Sequence, residues 1–557
     1  MEQARVLIAI VLSFLVFFVW NFFFVEKPTP ETPVAETAIQ KTEKDTLTQN
    51  DMPVNSTVEE KPLETYVAET PVGSQKMIPR TITVESPLYS VAINERGAVF
   101  QSYVLKDYRE SIEPDAAYKE LIAPAASHDM LQLSLAGKSI PGLENAIFSA
   151  DDTLDTLEVV DTERELVFTW RSDAGVLIEK RYRFTPQSYL IQLTVDIKNG
   201  SDRAIVDRLV LGIKNDPEGA KGGYSFEGPC ALIDGKLEQI KTKKIEDKSE
   251  YPGKIKWLAI VDRYFMKSII PLDDTKGVMK LSLDNNDVLG NRFIGSENTI
   301  QPGTQKRFAY QIFFGPKSMQ VLKDVDHDLN KAIHFGMFDI IAKPLLWFMN
   351  FIYGKVPNYG IAIIVLTILT KLLLWPLGSK SYKSMSEMKR LQPLMAEIRE
   401  KYKDDKKMMN QEIMSLYRTY KINPMGGCLP MVLQIPVFFA LYRMLYQAIE
   451  LRHAPFFLWI NDLSAPDRLF NFSFSIPFMQ PPYGIPVLTV IMGASMLLQQ
   501  KMSPPPGDPT QAKMMMLMPI FMTVLFINFP SGLVLYMLVN NIISMGQQYY
   551  TQKKFSK

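Results

Sequence analysis

Five long apolar runs crowd the C-terminal part of the chain, at Tyr359–Gly378, Gly426–Ile449, Tyr483–Gln500, Ala512–Phe529 and Gly532–Tyr549. About twenty apolar residues in a helix cross a hydrocarbon core of roughly 30 Å. In lipid the backbone has no water to bond to, so such segments must close their own hydrogen bonds as helices. A sixth run, Arg5–Val25, stands near the start. It is too long for a secretory signal and no small-x-small cleavage site follows it, so it reads as an uncleaved anchor. The expectation is a polytopic α-helical membrane protein with six transmembrane helices.

A different pattern lies between the anchor and the other five runs. Residues 26–79 are rich in Pro, Thr, Glu and Val, as in Pro28-Thr-Pro-Glu-Thr-Pro33, and cannot bury a core. They read as a flexible tether. From residue 80 to about 330 the period drops to two, most clearly in Ile191-Gln-Leu-Thr-Val-Asp-Ile197. Further strand-like runs fall at Thr81–Val84, Leu166–Trp170, Leu177–Phe184, Val206–Ile213, Lys256–Ile260, Val278–Leu283 and Arg307–Phe314. Many strands with no helical pattern between them predict a large all-β domain of the sandwich type.

No reaction chemistry is visible. Gly137-Lys138-Ser139 ends like a phosphate loop, but Gln132 takes the place of the upstream glycine. His128, His327, His334 and His453 show no metal-ligand spacing, and Cys230 and Cys428 stand far apart in segments of opposite character. Neither a cofactor, a metal nor an enzyme is expected. With 61 Lys+Arg against 60 Asp+Glu, the chain is also no globally basic nucleic-acid binder.

Residues 331–355 are apolar but interrupted by Asp339, Lys343, Pro344 and Asn350, which favours a helix lying in the membrane interface. The loop charges orient the rest. Residues 379–425 hold eleven Lys/Arg and the tail 551–557 holds Lys553, Lys554 and Lys557, whereas the stretch 450–482 holds only Arg452 and Arg468. The positive-inside rule then places both termini in the cytoplasm and residues 26–355 on the far side, the periplasm of a bacterial cell.

Lys371 is the most informative residue of the spans. A cation inside a span costs about 2.5–3.5 kcal/mol on insertion scales and normally faces a polar interior. Two placements fit it: such an interior, or snorkelling to the interface past Gly378, roughly 10 Å away at 1.5 Å per residue. Thr367 lies one turn away on the same face, and Gln434 falls at a similar depth in the next span. Tyr536, Asn540 and Ser544 recur at i, i+4, i+8, while Thr523 and Asn528 add polarity to the fifth run of the core. Each alone is ordinary glue between membrane helices. Together with a cation they suggest a hydrophilic cavity reaching partway in from the cytoplasmic side. For Arg443, seven residues from the outer end of its span, outward snorkelling is the better reading.

The stretch 379–425 reads as a cytoplasmic helical hairpin. Met385, Met388, Leu391, Met395 and Ile398 recur at helical spacing, and Met408, Met409, Ile413, Leu416 and Tyr417 repeat the pattern. Two readings fit it: an amphipathic pair packed on itself, or a Met-rich basic surface for nascent chains or ribosomal RNA.

Several clustered motifs resemble one known family. Asn423-Pro-Met-Gly-Gly-Cys-Leu-Pro430 with Gln434-Ile-Pro436, Ala454-Pro-Phe456 with Leu458-Trp-Ile460 and Asp462-Leu463-Ser464, and Phe529-Pro-Ser-Gly-Leu-Val-Leu-Tyr536 look like the YidC insertases of the Oxa superfamily. The likeness covers about residues 332–550, and the anchor, tether and β domain match the layout of the Gram-negative form. It implies a five-helix insertase core at 356–550 around a groove open to cytoplasm and lipid. It implies insertion and folding of inner-membrane proteins, alone or with the Sec translocon. The partners it implies are nascent membrane proteins, membrane lipids, and the ribosome through hairpin 379–425 and the basic tail. Lys371 falls where the family places its groove cation, and Thr367 and Gln434 fall on groove-lining positions; Tyr536, Asn540 and Thr523 are further candidate groove contacts. Met537 departs from relatives that carry a second aromatic after Tyr536, and the Phe- and Pro-rich segment 466–482 looks longer than usual. The rival reading is a transporter or channel using the same polar cavity, which predicts related repeats in the two halves; no repeat is seen.

Overall fold

The computed structural model describes residues 79–124, 130–152, 154–215, 225–272, 276–284, 287–420, 429–502 and 509–555. The expected anchor at 1–25, the tether through residue 78 and the Asn423–Cys428 part of the Pro/Gly motif lie outside the described residues.

The period-two runs form strands. Ile191–Ile197 sits within Leu190–Asn199, which pairs antiparallel with Val176–Phe184 on one side and Gln305–Pro316 on the other. Each of the other predicted runs likewise falls inside an observed strand. Strands without alternation were not legible. Phe265–Pro271 is buried on both faces, and its polar residues Lys267 and Ser268 are adjacent and buried too, so neither marks a solvent side.

The strands make two principal sheets. The smaller has five, in the order Tyr118–Glu120, Val99–Arg109, Tyr89–Asn94, Thr81–Glu85 and Thr156–Glu158, the last pairing parallel. The larger bends at Glu250–Val261. The first residues of that strand, Glu250–Lys254, pair with Lys276–Leu283, and its last, Leu258–Val261, pair with Phe265–Pro271. Gly253 lies at this corner at φ 156°, where a Cβ would meet the Ile233 and Asp234 side chains. The enclosed core is aromatic: the Phe100 ring lies 5.3 Å from Tyr182 and 5.9 Å, edge-on, from Phe314. Each such side chain contributes about 1.5–3 kcal/mol by leaving water.

Nine helices follow among the described residues: α1 (Met319–Asp324), α2 (Asp339–Tyr353), α3 (Tyr359–Arg390), α4 (Gln392–Lys401), α5 (Lys406–Thr419), α6 (Leu429–Gln447), α7 (Val487–Met502), α8 (Pro509–Phe526) and α9 (Ser531–Phe555). Of these, α3 is long and apolar enough to cross a membrane. The stretch 331–355 is not one helix. Its first part is broken into 3-10 turns, and α2 begins at Asp339, whose carboxylate accepts from Phe335 N at 2.6 Å.

Two further predicted elements are corrected. The first arm of hairpin 379–425 is no separate helix after the span. α3 runs on from its Asn358 cap through Pro376 to Arg390, and the chain breaks only at Leu391, ahead of Pro393 in the first turn of α4. The second arm, α5, is capped by Asp405 and packs back through Tyr417, whose hydroxyl lies 3.5 Å from Met395 Sδ. The run Tyr483–Gln500 also starts late as a helix: Tyr483–Ile485 is a strand paired with Leu469–Phe472, and α7 opens at Val487.

The β domain meets the helices at α6. Arg263, between two strands of the large sheet, donates to the Tyr446 carbonyl at 2.7 Å and lies 3.8 Å over the Tyr446 ring. Arg452 donates to the carbonyls of Arg109 and Glu110. Between them Glu450 accepts from Ser318 at 3.3 Å and Asn350 at 3.4 Å, and burial pushes its carboxyl above the usual range. Arg443 reaches the same region: its guanidinium donates to the Phe335 carbonyl at 3.2 Å, just before α2.

Candidate functional site

One side of α3 buries Ile363, Leu366, Thr367, Thr370 and Lys371, while Ile368, Leu369, Leu372 and Leu373 on the other side stay exposed. The i, i+4 spacing of Thr367 and Lys371 therefore points both into the helical bundle. Thr367 closes its own polarity by donating to Ile363 O at 2.6 Å. Lys371 cannot bond to its own helix in this way, because its ammonium sits at the end of a long stem. It reaches α9 and donates to Ser544 Oγ at 2.8 Å. The lysine is only 8% exposed. The side chain thus lies between α3 and α9.

The polar stripe of α9 assembles around that contact. Ser544 donates to the Asn540 carbonyl at 2.6 Å while accepting from Lys371. The Asn540 side chain accepts from Gln434 Nε2 of α6 at 3.0 Å. Tyr536, one turn earlier, is buried with its ring 6.5 Å from Phe438. Lys371, Gln434, Asn540 and Ser544 are thus one chain of hydrogen bonds across α3, α6 and α9. Thr523 stands apart from it. Its hydroxyl returns to Pro519 O at 2.7 Å, and its side chain fills the space over Gly493 of α7. Asn528 lies beyond α8 and binds the 466–482 segment instead, donating to Phe478 O at 2.8 Å.

Several residues of this polar spine were not singled out from the sequence. Gln547 donates to Trp375 O at 2.9 Å and Ser379 Oγ at 3.2 Å of α3, made possible by Gly378, where a Cβ would meet the Gln547 amide at 2.8 Å. On its other side α9 bonds α7 through Asn541 and Ser495 at 3.1 Å. Continuing the stripe past Ser544 by steps of three and four would have found Gln547, Gln548 and Thr551, all buried.

Electrostatically the spine is unbalanced. The five apolar runs that carry it contain no Asp or Glu. Among the described residues no carboxylate lies within ion-pair distance of Lys371, whose partner is a neutral hydroxyl. A charge in such surroundings is costly and attracts any anion strongly, because little water screens it. A carboxylate would bring the opposite charge to the ammonium, which the neutral hydroxyl does not. No group of three or more His, Cys, Asp or Glu able to hold a metal occurs among the described residues.

The family description "60Kd inner membrane protein" matches residues 351–557, and "YidC periplasmic domain" matches residues 81–348. "Membrane protein insertase YidC" of Syntrophus aciditrophicus is 40% identical over 99% of both chains. The protein of the same name from Syntrophobacter fumaroxidans is 40% identical over 84% of this chain and 86% of its own. A solved structure of an active YidC insertase with its first transmembrane domain resolved covers 85% of this chain and 95% of its own, at 18% identity and a TM-score of 0.37. With full-length relatives at this identity, and with the β-rich domain and the helical membrane part each matched in turn, the chain belongs to the YidC family.

Proposed function

We propose that this chain is a membrane protein insertase of the bacterial inner membrane, and that the spine of Lys371, Ser544, Asn540 and Gln434 is where it receives the polar end of a client. The observation that carries this reading is the buried ammonium of Lys371 held by a hydroxyl, with no acidic residue in the five apolar runs of the core. The missing counter-charge is supplied by acidic residues of the translocating segment, for which the Ser544 hydroxyl gives way. Polar side chains lining the route lower the cost of carrying peptide groups and charge partway through hydrocarbon. The client's apolar segment then leaves sideways into lipid, driven by its own hydrophobic transfer. Thr367, Tyr536 and Thr523 contribute to the walls of this groove rather than to its charge.

In this reading the anchor at 1–25 and the five core runs make six spans, with both termini cytoplasmic and residues 26–355 periplasmic. The domains divide as tether 26–79, β domain 80–330, interfacial stretch 331–355, core 356–550 and basic tail 551–557. Hairpin 379–425 and the tail face the ribosome, and the core works alone or beside the Sec translocon. The relatives' name, membrane protein insertase, supports the activity; the inward-turned Lys371 supports the route.

The test is insertion of a single-span protein with an acidic tail into liposomes that hold the full chain. Insertion above empty liposomes is expected with the wild type, a several-fold loss with Lys371→Ala, and retention with Lys371→Arg, which keeps the charge. Equal insertion with and without the protein would overturn the insertase reading. Loss with Lys371→Arg as deep as with Lys371→Ala would overturn the electrostatic role.

A further inference from the structure

The loop between α6 and α7 contains a small hairpin, Leu469–Phe472 paired with Tyr483–Ile485, that the insertase reading does not use. Its outward face is aromatic. Phe470, Phe474 and Phe478 are 68%, 62% and 81% exposed, and Phe472 stacks on Phe474 with ring centroids 5.1 Å apart. In water, such a face is an aggregation liability.

Both charged side chains of this loop are bound to the protein, and the polar residues exposed between the aromatics, Asn471, Ser473, Ser475 and Gln480, are uncharged. Its two charged residues are Asp467 and Arg468, and the sequence holds no other until Lys501. Asp467 is 3% exposed and accepts from Trp459 Nε1 at 2.6 Å and from Leu488 N at the start of α7. The Arg468 guanidinium donates to the carbonyls of Pro482 and Ile527, each at 2.8 Å, and to that of Gln480. Asn528 accepts from Gln480 N at 2.8 Å and donates to Phe478 O at 2.8 Å. Side chains thus satisfy the backbone groups that the short ladder leaves over, which water would serve without help. Such internal closure is what a low-dielectric setting demands.

The apolar outside of the loop also continues that of the helices. Ile485 leads into the exposed Val490 and Ile491 of α7, and Asn528 ties the loop to the end of α8, whose Phe521 and Val524 are exposed. The loop leaves α6 beside Tyr446, on the side where the β domain docks. We infer that the 466–486 loop lies in the headgroup–acyl boundary of the leaflet nearest the β domain, with Phe470, Phe474 and Phe478 among the lipid chains. The occupant of the aromatic face is lipid, not protein. The loop thereby fixes the depth of α7 and α8 beside the spine. This inference rests on reading those helices as spans.

The test uses the full chain with Cys230→Ala and Cys428→Ala, carrying one nitroxide at Phe474→Cys, Phe478→Cys or Ser475→Cys, the last of which removes no aromatic. The protein is placed in vesicles of phosphatidylethanolamine and phosphatidylglycerol. Collisions with oxygen, which partitions into lipid, are compared with collisions with a water-soluble nickel chelate. Reference labels replace Val206 on the β domain and Leu373 on the outer face of α3. The expected oxygen-to-nickel ratio at the loop sites is several-fold above that at residue 206 and approaches that at 373. Nickel access at the loop equal to residue 206, with residue 373 in lipid, would overturn the loop's immersion alone. Nickel access at residue 373 as well would overturn the span reading and the inference with it. Shielding from both reagents at the loop would assign the face to a protein neighbour and overturn the lipid occupant.

Discussion

The side chains of Gln434 and Asn540 are joined directly, amide to amide at 3.0 Å, across α6 and α9. The Asn540 carbonyl also receives the hydroxyl that holds Lys371, so one residue of α9 connects a cation on α3 to an amide on α6. The depth of Lys371 is therefore set by three helices rather than by its own.

Breaking this bond from either end leaves a polar group in apolar surroundings. Gln434→Leu and Asn540→Leu should each destabilise the helical part by about 0.6–2 kcal/mol, the range for hydrogen bonds between membrane helices. The double substitution should cost less than the sum, because it leaves neither partner orphaned. Denaturant titration of the full chain in mixed micelles measures this, and strict additivity would show the two side chains to be uncoupled.

Gly493 and Thr523 give a second, steric relationship. Any Cβ at residue 493 would run into the Thr523 hydroxyl and methyl. Gly493→Ala should destabilise the α7–α8 contact by about 1–3 kcal/mol, the cost of overpacking. Adding Thr523→Ala removes the obstructing atoms and should restore much of the loss. Insertion and thermal unfolding measured on the same two variants check it, and the absence of rescue would place the strain elsewhere.

The parts of this molecule that were legible share a simple cause. Strands such as Leu190–Asn199 announce themselves because one face is wet and the period is two. Lys371 announces itself because a cation has no place in a span without a purpose. What could not be read depends on which helix stands opposite. Ser544 appears in the sequence as one small hydroxyl in a stripe, and only the packing of α3 against α9 makes it the lysine's partner. Thr523 appears equally polar, yet its hydroxyl is spent on Pro519 of its own helix. The partners of Arg443 and Arg468 were likewise illegible, because they are backbone carbonyls, of Phe335 and Ile527, distant in sequence from each.

Arg263 is the clearest test of how the β domain is held. It combines a charged hydrogen bond to the Tyr446 carbonyl, worth about 1.5–3 kcal/mol, with a cation–π contact worth about 0.5–2 kcal/mol. Arg263→Ala should raise hydrogen exchange in peptides covering 440–452 at least tenfold, since ~1.4 kcal/mol corresponds to that factor. Arg263→Lys should recover only part, because an ammonium cannot stack flat and donate from its edge at once. Unchanged exchange with Arg263→Ala would mean that Arg452 and Glu450 hold the junction without it.

Lys180 makes the stability of the β domain depend on pH. It is fully buried and donates to the carbonyls of Gly97, Ala98 and Leu131 at 3.0, 2.7 and 3.1 Å, and those three residues all adopt positive φ. Burial lowers its pKa from 10.5 to about 7, because the charged form loses its water. Between those two values the unfolded chain binds a proton that the folded chain does not. Stability from this group therefore rises with pH across the window, by at most about 1.4 kcal/mol per unit, and is lowest below pH 7. Lys180→Met should abolish this slope. At pH 9 it should be less stable than wild type by about 2–3 kcal/mol, with the Gly97 and Leu131 carbonyls left unpaired while that of Ala98 keeps the Tyr182 hydroxyl. Hydrogen exchange of peptides covering 95–105 and 130–135, corrected for intrinsic rates at each pH, reads both effects. A wild type and a Lys180→Met chain with parallel pH profiles would show that residue 180 does not titrate in this range.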